Sequence, residues 1–112
     1  MNKEILIVGG GPVGLTAALM LARHDVPVRI IDQNDAPTTL SKALIVWKRT
    51  LQSLDPVIPW ETFADGFIRA RRMNFIHAGH DAAFINLQET EHNVPSGILI
   101  PQSETESILL NK

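Results

Sequence analysis

With 112 residues, 45% of them apolar and 20% charged, the chain has room for one domain with a modest core. Its net charge of −2 gives no electrostatic reason to expect nucleic acid or an anionic membrane as a partner. The lack of cysteine excludes disulfides, thiolate metal sites and thiol nucleophiles. No apolar run approaches the ~18 residues of a membrane span, so a cytoplasmic location is expected.

A strand buried on both faces is predicted over residues 4–8, because the apolar residues that follow Glu4 are continuous and mostly β-branched. That run enters Gly9-x-Gly11-x-x-Gly14. A helix is expected from Pro12, where a missing N–H costs nothing. Its packed stripe is Leu15, Ala18, Leu19 and Ala22, and His24-Asp25 ends it. A second strand over 26–31 completes a parallel βαβ unit, and the polar segment 33–41 is a loop. A further helix is predicted over 48–54, closed by the two prolines of 55–59. Residues 67–77 and 81–87 read as two strands of an antiparallel hairpin around Ala78-Gly79-His80. After a loop over 89–97, a short strand is expected over 98–100. Ser103-Glu-Thr-Glu106 then has the spacing of a capping box and predicts a helix start.

The glycine pattern points to a dinucleotide site, because each position has a mechanical task. Gly9 permits a tight turn off the strand, Gly11 lets the backbone approach a pyrophosphate, and Gly14 lets helix and strand pack closely. The following helix offers unpaired N–H groups and the positive end of its dipole to phosphate. Asp32 lies 18 residues beyond Gly14, at the end of the second strand, where a carboxylate accepts hydrogen bonds from ribose hydroxyls and repels a 2′-phosphate. This disfavours NADP in that pocket and leaves NAD and FAD open.

The stretch GGGPVGLTAALMLARHDVPVRIID closely resembles the start of the flavoprotein aromatic hydroxylases, the para-hydroxybenzoate hydroxylase-like FAD-dependent monooxygenases. Ser41-Lys-Ala-Leu, Arg49-Thr-Leu-Gln-Ser-Leu54, the hairpin from about Gly66 to Leu87, and Ile100-Pro-Gln-Ser-Glu-Thr-Glu-Ser-Ile-Leu109 follow in that family's order. The resemblance implies an α/β fold, the N-terminal part of a Rossmann-type FAD-binding domain with a small antiparallel hairpin. One domain over 1–112 is expected, with a βαβ unit and following helix over 1–54, a hairpin insertion over 66–90, and a strand and helix start over 98–112. By the same resemblance FAD is the cofactor, held by the loop Gly9, Gly10, Gly11, Pro12, Val13 and Gly14, by Asp32 with the adjacent Gln33, by Lys42 and by Gln102. Asp32 stands where the family more often has glutamate. Lys42 stands where it usually has arginine, keeping the charge and losing the planar fork. Gln102 would reach the flavin or its ribityl chain.

The resemblance also implies NAD(P)H as co-substrate, oxygen, and an aromatic small-molecule substrate. Two later cofactor motifs of the family are not in the sequence, so the chain is expected to be part of a longer protein, and no side chain is named as a catalytic acid or base. A central strand with one neighbour leaves an open edge, through which self-association is expected. Two other readings accompany this one: a non-catalytic remnant or assembly module, and the NAD-binding domain of a dehydrogenase. Arg69, Arg71 and Arg72 read as a solvated strand face, with an anion-attracting role as the alternative. His24, His77, His80 and His92 have no metal spacing and read as surface or turn residues, so no metal is expected. Trp47 and Trp60 read as packing residues.

Overall fold

The computed structural model describes residues 3–40, 42, 44–87 and 93–112. Expectations that fall on Ser41, Ala43 and residues 88–92, His92 among them, lie outside the described residues. Two compact units are present, Met1–Ala43 with Pro101–Lys112, and Leu44–Ile100.

The first unit is the βαβ arrangement with a closing helix. Strand β1 (Ile5–Val8) pairs in parallel with β2 (Val28–Ile31), placing Ile5 opposite Val28 and Val8 opposite Ile31. Helix α1 (Pro12–Arg23) connects them, buries Leu15 and Ala18, and leaves Ala22 exposed at the end of the expected stripe. It stops because Asp25 enters the left-handed region at φ 56°, which turns the N–H groups of His24 and Val26 onto the Leu21 carbonyl and that of Asp25 onto the Ala22 carbonyl. This cap consumes Val26, so β2 begins two residues later than its apolar run suggests. One exposed ion pair, Arg29 to Glu4 at 3.0 Å, ties the two strands across their polar side.

Strand β1 is not buried on both faces: Leu6 is 56% and Val8 78% exposed. A continuous apolar strand needs a neighbour on each edge and cover on each face. Among the described residues β1 pairs with β2 alone.

In the second unit, β3 (Ile45–Trp47) runs directly into α2 (Lys48–Leu54), and α3 (Trp60–Ala64) follows. Next come β4 (Ile68–Arg69), β5 (Arg72–His77), β6 (His80–Asn86) and β7 (Gly97–Leu99). Strand β7 is central in an antiparallel sheet of order β3-β7-β4, and β5 and β6 form a separate hairpin. The long strand expected over 67–77 is broken at Ala70–Arg71. The Ala70 N–H donates to the Gly97 carbonyl in one sheet, whereas the Arg71 carbonyl accepts from Leu87 beside the hairpin. The hairpin turn is tighter than expected: Ala78 and Gly79 both have positive φ, at 49° and 79°, and His80 already belongs to β6. That is a two-residue turn whose twist matches the flanking strands. Helix α3 was not expected. Asp55, at the end of α2, accepts from the Trp60 N–H at 3.0 Å and starts α3. Leu51, Leu54, Ile58, Phe63 and Ile98 are fully buried here.

The first unit closes with α4 (Gln102–Leu110), which packs on α1. Its N-cap is Pro101, with no side-chain cap, so the expected capping box does not form. Ser103 and Glu106 both lie inside the helix, and Glu106 instead accepts from the Gln102 side chain. No helix among the described residues is long and apolar enough to cross a membrane.

Candidate cofactor site

The glycine loop sits between the end of β1 and the first turn of α1. Gly9 leaves the strand at φ 110°, a conformation side chains resist, and its N–H donates to the Ile31 carbonyl at 2.7 Å. Gly14 is fixed by contact: a Cβ there would run into the Gly9 carbonyl oxygen and come within 3.3 Å of Ile7. At Gly11 the situation reverses. A Cβ would meet nothing closer than a Glu106 carboxylate oxygen at 3.9 Å. The missing side chain at Gly11 therefore leaves free space over the loop, the approach an anionic group requires. Pro12 carries no N–H, and Leu15 donates to the Gly11 carbonyl at 2.9 Å. The N–H groups of Val13 and Gly14, in the first helical turn, have no carbonyl within the helix to receive them.

Asp32 closes the other side. One carboxylate oxygen accepts from the Gly10 N–H at 2.7 Å and the other from the Asn34 N–H at 2.8 Å. The Asn34 amide first, then the Gly10 amide, hold the Asp32 carboxyl below its ordinary range by bonding its charged form. An ionised carboxylate has about four acceptor positions, so both oxygens keep capacity for ribose hydroxyls.

A groove of about 350 Å³ joins these parts, and Gly10, Gly11, Asp32, Lys42, Gln102 and Glu106 line it. Five of the residues expected from sequence are thus brought together. Gln33 does not line this groove; it lines an adjoining hollow with Val8 and Gly9, and Asp32 and Asn34 line both. Pro12 and Val13 contribute the helix start, not the groove wall, and the Val13 side chain is 85% exposed. Glu106 and Asn34 were missed. The signal for Glu106 was its four-residue spacing from Gln102 on one helix face. Its three-residue spacing from Ser103 fits a capping box equally well.

The donor set suits a dinucleotide. The unpaired N–H groups of the first helical turn follow Gly11 directly in the chain, and the Asp32 carboxylate lines the same groove as Gly11. A larger hollow in the second unit, about 710 Å³ and lined by Arg69, Arg71 and Arg72, lacks such a loop. Two of its arginines are engaged with rings, Arg69 over Trp60 at 5.1 Å and Arg72 over Phe84 at 4.0 Å. Among the described residues no group of histidine and carboxylate side chains could hold a metal.

A family profile described as FAD binding domain matches residues 2–112. An uncharacterized aromatic compound monooxygenase of Bacillus subtilis (strain 168) is 32% identical over 112 residues, 97% of this chain and 21% of that protein. A 6-methylpretetramide 4-monooxygenase of Streptomyces rimosus is 54% identical over 52 residues, 46% of this chain and 9% of that protein. The solved anhydrotetracycline hydroxylase of Streptomyces rimosus superposes with a TM-score of 0.81 at 28% identity, covering 99% of this chain and 22% of that one. The chain therefore spans between 20% and 29% of the length of the curated relatives it matches from end to end.

Proposed function

The chain belongs to the FAD binding domain family, and from that premise we propose that it supplies the cofactor-binding part of an FAD-dependent aromatic monooxygenase. The observation that carries the proposal is the space over Gly11, in one groove with Asp32 and next to the first turn of α1. In this reading the N–H groups of Gly11, Val13 and Gly14 receive the pyrophosphate of FAD. Asp32 takes the adenosine ribose, with Gln33 beside it. Lys42 and Gln102 act further along the groove. Bound FAD would supply the redox chemistry, and the chain's own residues bind and orient it. NAD(P)H as reductant and an aromatic substrate belong to the same proposal, supported by the monooxygenases named above. A cytoplasmic setting follows from it, because NAD(P)H is supplied there. The open edge of β1, with Leu6 and Val8 exposed, supports self-association by strand addition.

The test is a titration of the purified chain with FAD, read as quenching of flavin fluorescence, with NAD in a parallel competition. Saturable quenching that NAD does not relieve is the expected result. Absence of quenching across the micromolar range would refute the cofactor assignment. Sedimentation of the same sample, with and without a charge introduced as Leu6→Lys, tests the open edge. A monomer at all concentrations would remove self-association.

A further inference from the structure

We propose that Glu106 is the positioning residue of the groove: its carboxylate holds the Gln102 amide with the nitrogen turned toward Glu106, so that the Gln102 carbonyl oxygen is presented as an acceptor to a hydroxyl on the flavin side of the bound cofactor. This inference rests on the FAD reading above.

Glu106 is 3% exposed, the only buried ionisable side chain among the described residues. Burying a carboxylate is costly, and a carboxylate retained there calls for a partner that needs it. Its partner is Gln102, four residues earlier on α4, whose Nε2 donates to Glu106 Oε1 at 2.9 Å. A glutamine amide can ordinarily turn over, exchanging donor for acceptor. An ionised carboxylate has acceptors only, so the turned-over amide would set oxygen against oxygen. Glu106 therefore selects one orientation of Gln102.

The rest of the turn is fixed as well. The N–H groups of Glu104 and Thr105 and the Thr105 hydroxyl all bond the Pro101 carbonyl, and Leu109 is buried below. Glu106 itself is a poor candidate for direct contact with phosphate. Its oxygen is the nearest atom to the open side of Gly11, and a negative charge there repels an anion. Its effect on binding is exerted through Gln102.

The experiment compares FAD with ADP, which shares the pyrophosphate and adenosine but lacks the ribityl chain and flavin. FAD affinity is read by fluorescence quenching and ADP affinity by calorimetry, for wild type, Glu106→Ala, Glu106→Gln, Gln102→Ala and the Gln102→Ala/Glu106→Ala pair. Glu106→Ala is expected to weaken FAD relative to ADP about five- to tenfold, the scale of one hydrogen bond, with ADP bound at least as tightly as by wild type once the charge beside Gly11 is gone. The double variant should be no weaker than Gln102→Ala alone. Glu106→Gln, which can pair with the Gln102 amide in either orientation, should fall between Glu106→Ala and wild type in FAD affinity. Equal losses for FAD and ADP, or additive losses in the pair, would overturn the proposal. Should Glu106→Ala not fold, Glu106→Gln against Glu106→Met gives the same contrast, and equal FAD affinity in those two overturns it. A wild-type chain that takes up no FAD refutes the underlying cofactor reading instead.

Discussion

The two units treat apolar sequence in opposite ways. In the second, short helices and a three-stranded sheet bury Leu51, Ile58, Phe63 and Ile98 to 0% exposure. In the first, the most apolar strand of the chain stays open, with Ile5, Leu6 and Val8 between 42% and 78% exposed. Its buried residues lie on helices, Leu15 and Ala18 on α1 and Leu109 on α4. The contrast shows that β-branched runs state what a segment can bury, while the number of neighbouring strands decides what it does bury. It also separates two kinds of stability. The second unit is held by side-chain packing. The glycine loop is held by backbone contacts and one carboxylate.

Core truncation should break the contrast most strongly. Phe63→Ala removes a fully buried ring and is expected to cost about 3–5 kcal/mol in urea unfolding, whereas Leu6→Ala should cost less than about 1 kcal/mol. Comparable losses for the two would mean that β1 is covered in solution. Next come the two glycines of the loop. Gly14→Ala sets a methyl against the Gly9 carbonyl and should lower both the melting temperature and FAD affinity. Gly11→Ala has room for its methyl within the protein, so it should melt like wild type while weakening FAD more than about tenfold. An unchanged FAD affinity for Gly11→Ala would remove the pyrophosphate from that position.

A pH series sharpens the same distinction. The Asp32 carboxyl is held below its ordinary value of 3.8 by the Asn34 and Gly10 amides. Its contribution is therefore complete above that value and fades as pH falls through the lowered native one. Asp32→Asn should lower the melting temperature at pH 6 and converge with wild type at the acid end. A constant difference across the series would show that the carboxylate charge is not what holds the loop. The smallest effects belong to strained turns. Asp25→Gly, at φ 56°, and Ala78→Asn, at φ 49°, should each raise stability by up to about 1 kcal/mol.

The βαβ unit, the glycine loop and helix α2 were legible because each depends on local signals: an apolar run, a proline at a helix start, a spacing. Elsewhere two local signals competed. Ser103 to Glu106 fits a capping box, but Pro101 takes the cap position and the same Glu106 pairs with Gln102 inside the helix. Residues 67–77 carry one apolar pattern, and the switch between sheets at Ala70 follows from pairing with Gly97 and Leu87, which lie far along the chain. Strand β3 was hidden because three apolar residues at the mouth of a helix look like part of it. At the site, the residue types were readable and the grouping was not. Sequence places Gln33 beside Asp32, and in the fold the two share one hollow while Asp32 alone of the pair also lines the groove with Lys42 and Gln102.

The clasp between Asp32 and the Gly10 amide ties the glycine loop to the end of β2 through the chain's own groups. A loop pinned in this way loses less freedom on receiving a dinucleotide. Hydrogen exchange would register this directly, as a slow Gly10 amide in the apoprotein that quickens in Asp32→Asn.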